Sequence, residues 1–288
     1  MSDKQPYYLT STLPYVNADP HAGHALEFVH ADIISRYSRQ SGREIFLNTG
    51  TDEHGLKIYR KAQEKNLSPQ KYVDEYAERF KRFAEKLGMK FNSFIRTTNR
   101  AHIASAQEFW KRCDKNGDIY KKQYSVRYCV GCELEKTGSE IENNTCPLHP
   151  TLELETIEEE NYFFRLSRYR DELLGLIESG CFQIIPETRR NEILSFLRGG
   201  LEDISISRSN ERARDWGLPV PGDPSQRQYV WVEALSNYIT ALGYADDDEK
   251  FKTYWKGGDE VMHVIGKGIN RFHTIYWPAI LLSAGVRL

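Results

Sequence analysis

Apolar and polar positions along the first third of the chain follow a strand rhythm and a helix rhythm in turn. Residues 7–13 form a β-prone apolar run, which predicts a buried strand. Leu26, Val29, Ile33 and Tyr37 then recur at helical spacing and Gly42 offers a C-terminal stop, so an amphipathic helix with that apolar stripe is expected. Residues 44–49 read as a second buried strand entering the turn Gly50-Thr51-Asp52-Glu53-His54-Gly55. Strand, helix and strand over about 40 residues make a βαβ unit with parallel strands. Ser68-Pro69 opens the next helix with a cap and an N1 proline, and Tyr72, Tyr76, Phe80, Phe83 and Leu87 form a core stripe closed by Gly88. A third strand is expected over residues 94–97. Asn99 then caps a helix on which Ile103, Ala106, Trp110 and Cys113 share a face.

The character changes at Gly117. Residues 153–160 read as a solvated strand face, and helices are expected over 167–179 and 187–197. The Pro- and Gly-rich passage 216–224 reads as a re-entry linker. Residues 228–232 look strand-like, 233–242 helical, and 261–265 form a strand entering the turn Gly266-Lys267-Gly268. Pro278 is expected to bend the closing helix. The expected fold class is therefore α/β: a Rossmann-like parallel sheet split by an insertion. Its first half covers residues 1–117, the insertion 118–225 and its second half 226–288.

Composition narrows the classes. With 39 basic and 41 acidic side chains, the chain as a whole has no polycationic footprint, although a local patch would suffice for RNA. No apolar stretch approaches a membrane span and residues 1–6 carry no signal-peptide core, so a soluble cytoplasmic protein with no membrane partner is expected.

Chemistry concentrates at three places. His21-Ala22-Gly23-His24 lies where the first strand gives way to its helix. Imidazoles and turn amides at a helix N-terminus favour an anion, and a glycine lets a flat ligand approach the backbone. The plain alternative is a pair of solvated histidines. Asp52 to His54 would share that sheet edge, where ligands of parallel sheets collect, or would merely cap a helix. Cys129, Cys132, Cys146 and His149 form C-x2-C-x13-C-x2-H. Two short chelate loops with three thiolates and an imidazole suit a closed tetrahedral zinc knuckle.

Several longer blocks carry a family likeness: Leu13-Pro14-Tyr15-Val16-Asn17, the HAGH tetrad, residues 49–55, Tyr229-Val230-Trp231-Val232-Glu233-Ala234-Leu235, residues 263–267 and residues 272–279. With the zinc tract, they make the chain resemble, over essentially its whole length, the catalytic core of class I aminoacyl-tRNA synthetases, the methionyl members in particular. The resemblance implies a methionine–tRNA ligase that activates L-methionine with ATP and Mg2+ and charges tRNA(Met). It implies that the Leu13 main chain and Asp52 hold the substrate ammonium. Tyr15, Trp231, Ala234, Leu235, Tyr238, Ile269, Phe272, His273 and Trp277 would line the side-chain pocket, with Tyr15 and His273 polar near the sulfur. His21, Gly23, His24, Glu27, Gly266 and Lys267 would form the ATP edge, with Arg208 near the pyrophosphate; His21, His24, Lys267 and Arg208 are the candidate catalytic residues. The four Cys and His ligands would hold structural Zn2+.

Two departures stand out. Gly268 occupies a position where the family carries Asp, and no Lys-Met-Ser-Lys-Ser segment occurs before Leu288. A catalytic core truncated before that loop and before the anticodon-binding domain is therefore expected. A non-catalytic methionine-binding or partner-docking module is the alternative.

Overall fold

The computed structural model describes residues 6–132, 134–136, 141–258 and 260–288; residues 1–5, where the sequence shows no signal core, lie outside the described residues. Strand β1 (Pro6–Ser11) leads into helix α1 (Ala22–Gln40) and strand β2 (Glu44–Thr51). Helices α2 (Leu56–Glu64) and α3 (Pro69–Lys86) follow, then strand β3 (Ser93–Arg96) and helix α4 (Arg100–Lys115). Much later the strand Glu260–Val264 returns beside β1. The central sheet thus runs Glu260–Val264, β1, β2, β3, and all its pairings are parallel. This is the expected α/β architecture. Strand order reverses at β1, so the crevice between β1 and Glu260–Val264 is the switch point where a ligand is expected to sit.

Local signals explain most boundaries. The Ser68 side chain accepts a hydrogen bond from the Lys71 amide and caps α3. Gly42 and Gly88 end their helices at positive φ, +87° and +78°. Tyr72, Tyr76 and Phe80 are buried in one core cluster, with Phe83 and Leu87 packed on it. Asn99 stands at the α4 N-cap without donating or accepting a side-chain cap bond, so its capping is by backbone conformation alone.

The stripe on α1 is a correction. Leu26, Ile33 and Tyr37 are 60%, 57% and 71% exposed, and the face turned to the sheet carries Phe28, Ala31, Asp32, Ser35 and Ser38. The charged group on that buried face has fixed partners: Asp32 accepts from Arg36 Nε at 2.5 Å and from the Lys90 amide at 3.1 Å.

After α4 the long strand Ile119–Cys129 pairs antiparallel with Glu155–Phe164 in a second sheet. The expected helices appear as Arg170–Glu178 and Glu187–Arg198. Two further expectations fail. The passage read as a linker folds into the antiparallel pair Pro219–Val220 and Asp223–Gln228, turning at Gly222 with φ +80°. The run read as a strand over 228–232 instead starts the helix Val230–Leu235. Its β-branched and aromatic residues are mostly buried, and packing overrides their propensity. Pro278 lies in the first turn of Trp277–Ser283, directly after the wide π turn Phe272–Tyr276, where its missing N–H is tolerated.

Candidate active site

The edge begins at the α1 N-terminus. His21 is the N-cap and its Nδ1 accepts from the Gly23 amide at 3.1 Å, while His24 Nδ1 accepts from the His21 amide at 3.2 Å. The two rings stack at 3.8 Å, and His24 meets the edge of Phe80. The two histidines thus form a reciprocal capping box. Because each Nδ1 accepts, each Nε2 carries a proton and is the ring's outward donor. Burial, helped by the His21 ring, pushes His24 down to about 4. A Cβ on Gly23 would come within 2.9 Å of the His21 ring, so a larger residue there would push that exposed ring aside.

Glu27 fastens this helix to both strand ends. Its Oε1 accepts from the Thr12 amide at 2.7 Å, and the carboxylate also receives a hydrogen bond from the Gly266 backbone. Burial raises its pKa above the usual carboxylate range, although those hydrogen bonds work the other way. Lys267 and Gly268 are exposed beside it.

On the other side of β1, Asp52 pairs with Tyr15 in an isolated parallel bridge. The Asp52 amide donates to Pro14 O at 2.9 Å and the Val16 amide donates to Asp52 O at 3.1 Å. Asp52, Glu53 and His54 are buried, and α2 is capped by Gly55 instead. Helix capping is therefore not their role. Glu53 takes a bidentate pair from Arg96 at 2.7 and 2.9 Å. Close approach of β2 to β3 also fixes Gly50, where a Cβ would lie 1.8 Å from Ile95 O.

The apolar candidates converge. Trp231 stacks on Phe272 at 4.2 Å, and Tyr238 packs against Trp277 and His263. Leu13, Leu235, Tyr238, Phe272 and Trp277 belong to one core cluster with Tyr15, Trp231 and Ile269 packed on it, and Ala234 is buried alongside them in the chain. Burial raises the Tyr238 phenol far above its ordinary value, and the charges of Glu27 and Asp52 add to that. His273 Nδ1 donates to Ile269 O at 3.0 Å, so Nε2 accepts from the Tyr238 hydroxyl at 2.7 Å. Burial holds His273 neutral, at about 4. Both its nitrogens are thus engaged within the protein, leaving no ring donor for a ligand sulfur. The buried Trp277 indole N–H, by contrast, has no acceptor among the described residues.

Arg208 lies elsewhere. Its guanidinium covers the Tyr229 ring at 4.2 Å and donates to Ser205 Oγ and Ser207 O. It lines a cleft with His54, Trp216, Arg212 and Arg227 whose walls include none of His21, His24, Glu27 and Lys267.

Sequence reading missed a buried cluster. Glu233 Oε1 meets His54 Nδ1 at 2.9 Å and Oε2 meets His102 Nε2 at 3.0 Å, while His102 Nδ1 reaches Thr240 Oγ1 at 2.8 Å. The available signal was a single carboxylate inside the apolar run Val230-Trp231-Val232-Glu233-Ala234-Leu235. Such a charge on a buried helix needs partners.

Cys129, at the end of the strand Ile119–Cys129, and Cys132 just after it meet Cys146 and His149 from the small antiparallel pair Thr145–Cys146 and His149–Glu153, their ligand atoms all within 4.8 Å of one another. Four of their six separations, 3.2 to 3.9 Å, lie near the roughly 3.8 Å edge of a tetrahedron with thiolate bonds near 2.3 Å. A Cβ on Gly131 would strike the His149 ring at 2.5 Å, so of the two residues between the first two cysteines the second is held to glycine by this packing. The cluster is a metal-binding candidate.

Comparison with known proteins agrees with this geometry. The chain is 46% identical to the methionine–tRNA ligase of Thermotoga maritima, over 98% of this chain and 44% of that protein. It is 42% identical to that of Brucella suis, over 99% of this chain and 55% of that one. A crystal structure of Mycobacterium tuberculosis methionyl-tRNA synthetase bound by methionyl-adenylate superposes with a TM-score of 0.92 at 42% identity, covering 99% of this chain and 56% of that one. The chain spans about half the length of the curated relatives it matches. A family model described as tRNA synthetases class I (M) matches residues 7–154 and 135–288. With those matches running nearly end to end over a parallel sheet whose switch point holds the HxGH turn, the chain belongs to the class I (M) tRNA synthetases.

Proposed function

We infer that this chain is the catalytic core of a methionine–tRNA ligase, working in the cytoplasm on L-methionine, ATP and tRNA(Met). The observation that carries the reading is the aromatic set Trp231, Tyr238, Phe272 and Trp277, gathered beside Leu13, with Tyr15, the bridge partner of Asp52, packed on the same cluster. A thioether side chain is unbranched and polarisable and gains from aromatic neighbours. The relatives named above are methionine–tRNA ligases, and one was crystallised with methionyl-adenylate.

In this reading Asp52 and the Leu13 carbonyl hold the ammonium by charge-assisted hydrogen bonds. The methionine carboxylate oxygen bonds to the α-phosphorus of ATP as the bond to pyrophosphate breaks. Neutral His24 and His21 direct their Nε2–H groups at the phosphates, and Lys267 adds charge where it develops. Gly23 and Gly266 leave room for the nucleotide. Mg2+ enters with ATP as part of the substrate. Aminoacyl transfer to the terminal ribose of the tRNA follows. Zn2+, held by Cys129, Cys132, Cys146 and His149, would supply a structural cross-link within residues 118–225, which we take as an insertion between the two halves of the catalytic domain.

Calorimetric titration with methionine, leucine and norleucine tests this reading. Selective heat for methionine is expected. Equal binding of all three, or none, overturns the assignment.

A further inference from the structure

The buried cluster around Glu233 joins the two elements that would define the pocket. His54 follows Asp52 by two residues, in a loop already fixed by the Tyr15–Asp52 bridge. Trp216 lies over the His54 ring at 5.5 Å and donates its indole N–H to Glu53 O at 2.8 Å. Glu233 follows Trp231 by two residues and precedes Ala234 and Leu235 on the same short helix. His102 comes from the first turn of α4, and Thr240 from the next helix, Asn237–Thr240. Glu233, His102, His54 and Thr240 are all buried. Burial alone would raise the Glu233 pKa, but the His54 and His102 imidazoles outweigh it and hold the group ionised. A carboxylate only accepts, so both imidazoles donate to it.

We propose that Glu233, held by His54 and His102, is a positioning residue that fixes the separation between Asp52 and the Trp231 wall and so sets which amino-acid side-chain length the pocket takes. The proposal rests on the methionine reading above. Its physical basis is a difference between two kinds of contact. Apolar packing is non-directional and lets a short helix slide. A buried carboxylate with two directional donors on separate elements does not. An amino acid anchored by its ammonium at one end and read by aromatic rings at the other is measured by that separation. A helix of 6 residues has little internal rigidity to hold that distance unaided.

The test uses the native protein that carries this chain, with H102A, H102Q and E233Q as variants. Thermal melting confirms that each is folded. Dissociation constants are measured for methionine, for its one-carbon-longer analogue ethionine, for norleucine and for ATP. H102A removes one donor and is expected to weaken methionine about tenfold and to lose most of the preference over ethionine and norleucine, with ATP unchanged. H102Q returns a donor to the Nε2 position and should recover methionine binding to within about threefold. If H102A does not fold, E233Q decides the matter: it keeps one acceptor, and reduced discrimination with intact ATP binding supports the proposal. Unchanged discrimination in a folded H102A or E233Q overturns it, as does an equal loss of methionine and ATP affinity. Should the unmodified protein fail to bind methionine, the site reading itself falls, and this inference with it.

Discussion

Gly268 shows how a single residue separates what the fold supplies from what the chemistry needs. A Cβ built there meets nothing within 4 Å, and its φ is not in the left-handed region. Neither packing nor backbone demands glycine at 268, in contrast to Gly50 and Gly131, where a side chain would collide with a carbonyl or a ring. The resemblance places an aspartate at this position, beside the ribose of ATP. G268D is therefore expected to fold normally and to tighten ATP binding about three- to tenfold through a hydrogen bond to a charged acceptor, with methionine affinity unchanged. Titration of both ligands against the variant checks this. Weaker ATP binding would mean that the added charge repels the triphosphate more than it holds the ribose.

Among the elements, α1 carries the clearest lesson about what a sequence pattern conceals. Its helical period was legible, and so were its start at the HxGH turn and its stop at Gly42. Its inward face was not. Leu26, Val29, Ile33 and Tyr37 make the stronger apolar stripe, yet they face outward, and the sheet side is filled by small and polar residues around Phe28. Asp32 can be buried there because Arg36, one turn along the same helix, and the Lys90 amide meet it, and the Lys90 amide is a tertiary partner that no periodicity shows. The same limit hid Glu233, whose two imidazoles come from residues 131 and 179 positions away. This inversion is testable. Ile33→Lys should change the stability of the chain by no more than about 0.5 kcal/mol, whereas Phe28→Ala should cost roughly 3–5 kcal/mol. Urea unfolding of the two variants would separate them, and a large loss from Ile33→Lys would return the stripe to the core.

At the scale of the whole molecule, the parallel sheet and its switch point were readable because apolar runs, glycine stops and the HxGH block all marked the same edge. The state of ionisation at that edge was not readable, since it depends on how deeply each ring is packed. His273 is held at about 4 by burial, against 6.5 for a free imidazole, although its hydrogen bond to Ile269 O works the other way. His24 is shifted in the same direction, also to about 4. The unfolded chain therefore takes up protons below pH 6.5 that the folded chain refuses until pH nears 4. Stability is full above the upper value, falls as the pH drops through this window, and levels off below the lower one. His273 alone contributes roughly 3 kcal/mol of that loss. Carboxylates held low in the fold, such as Asp223 at about 2, lose their stabilising charge at more acid pH, so the upper part of the window belongs to the histidines. H273Q preserves an acceptor for the Tyr238 hydroxyl but cannot be protonated. Denaturant midpoints measured from pH 7.5 to 4.5 should therefore fall less steeply in H273Q than in the unmodified protein. Parallel curves would show that His273 protonates in the folded state as readily as in the unfolded one, and that its ring is more open to water than its packing against Tyr238 implies.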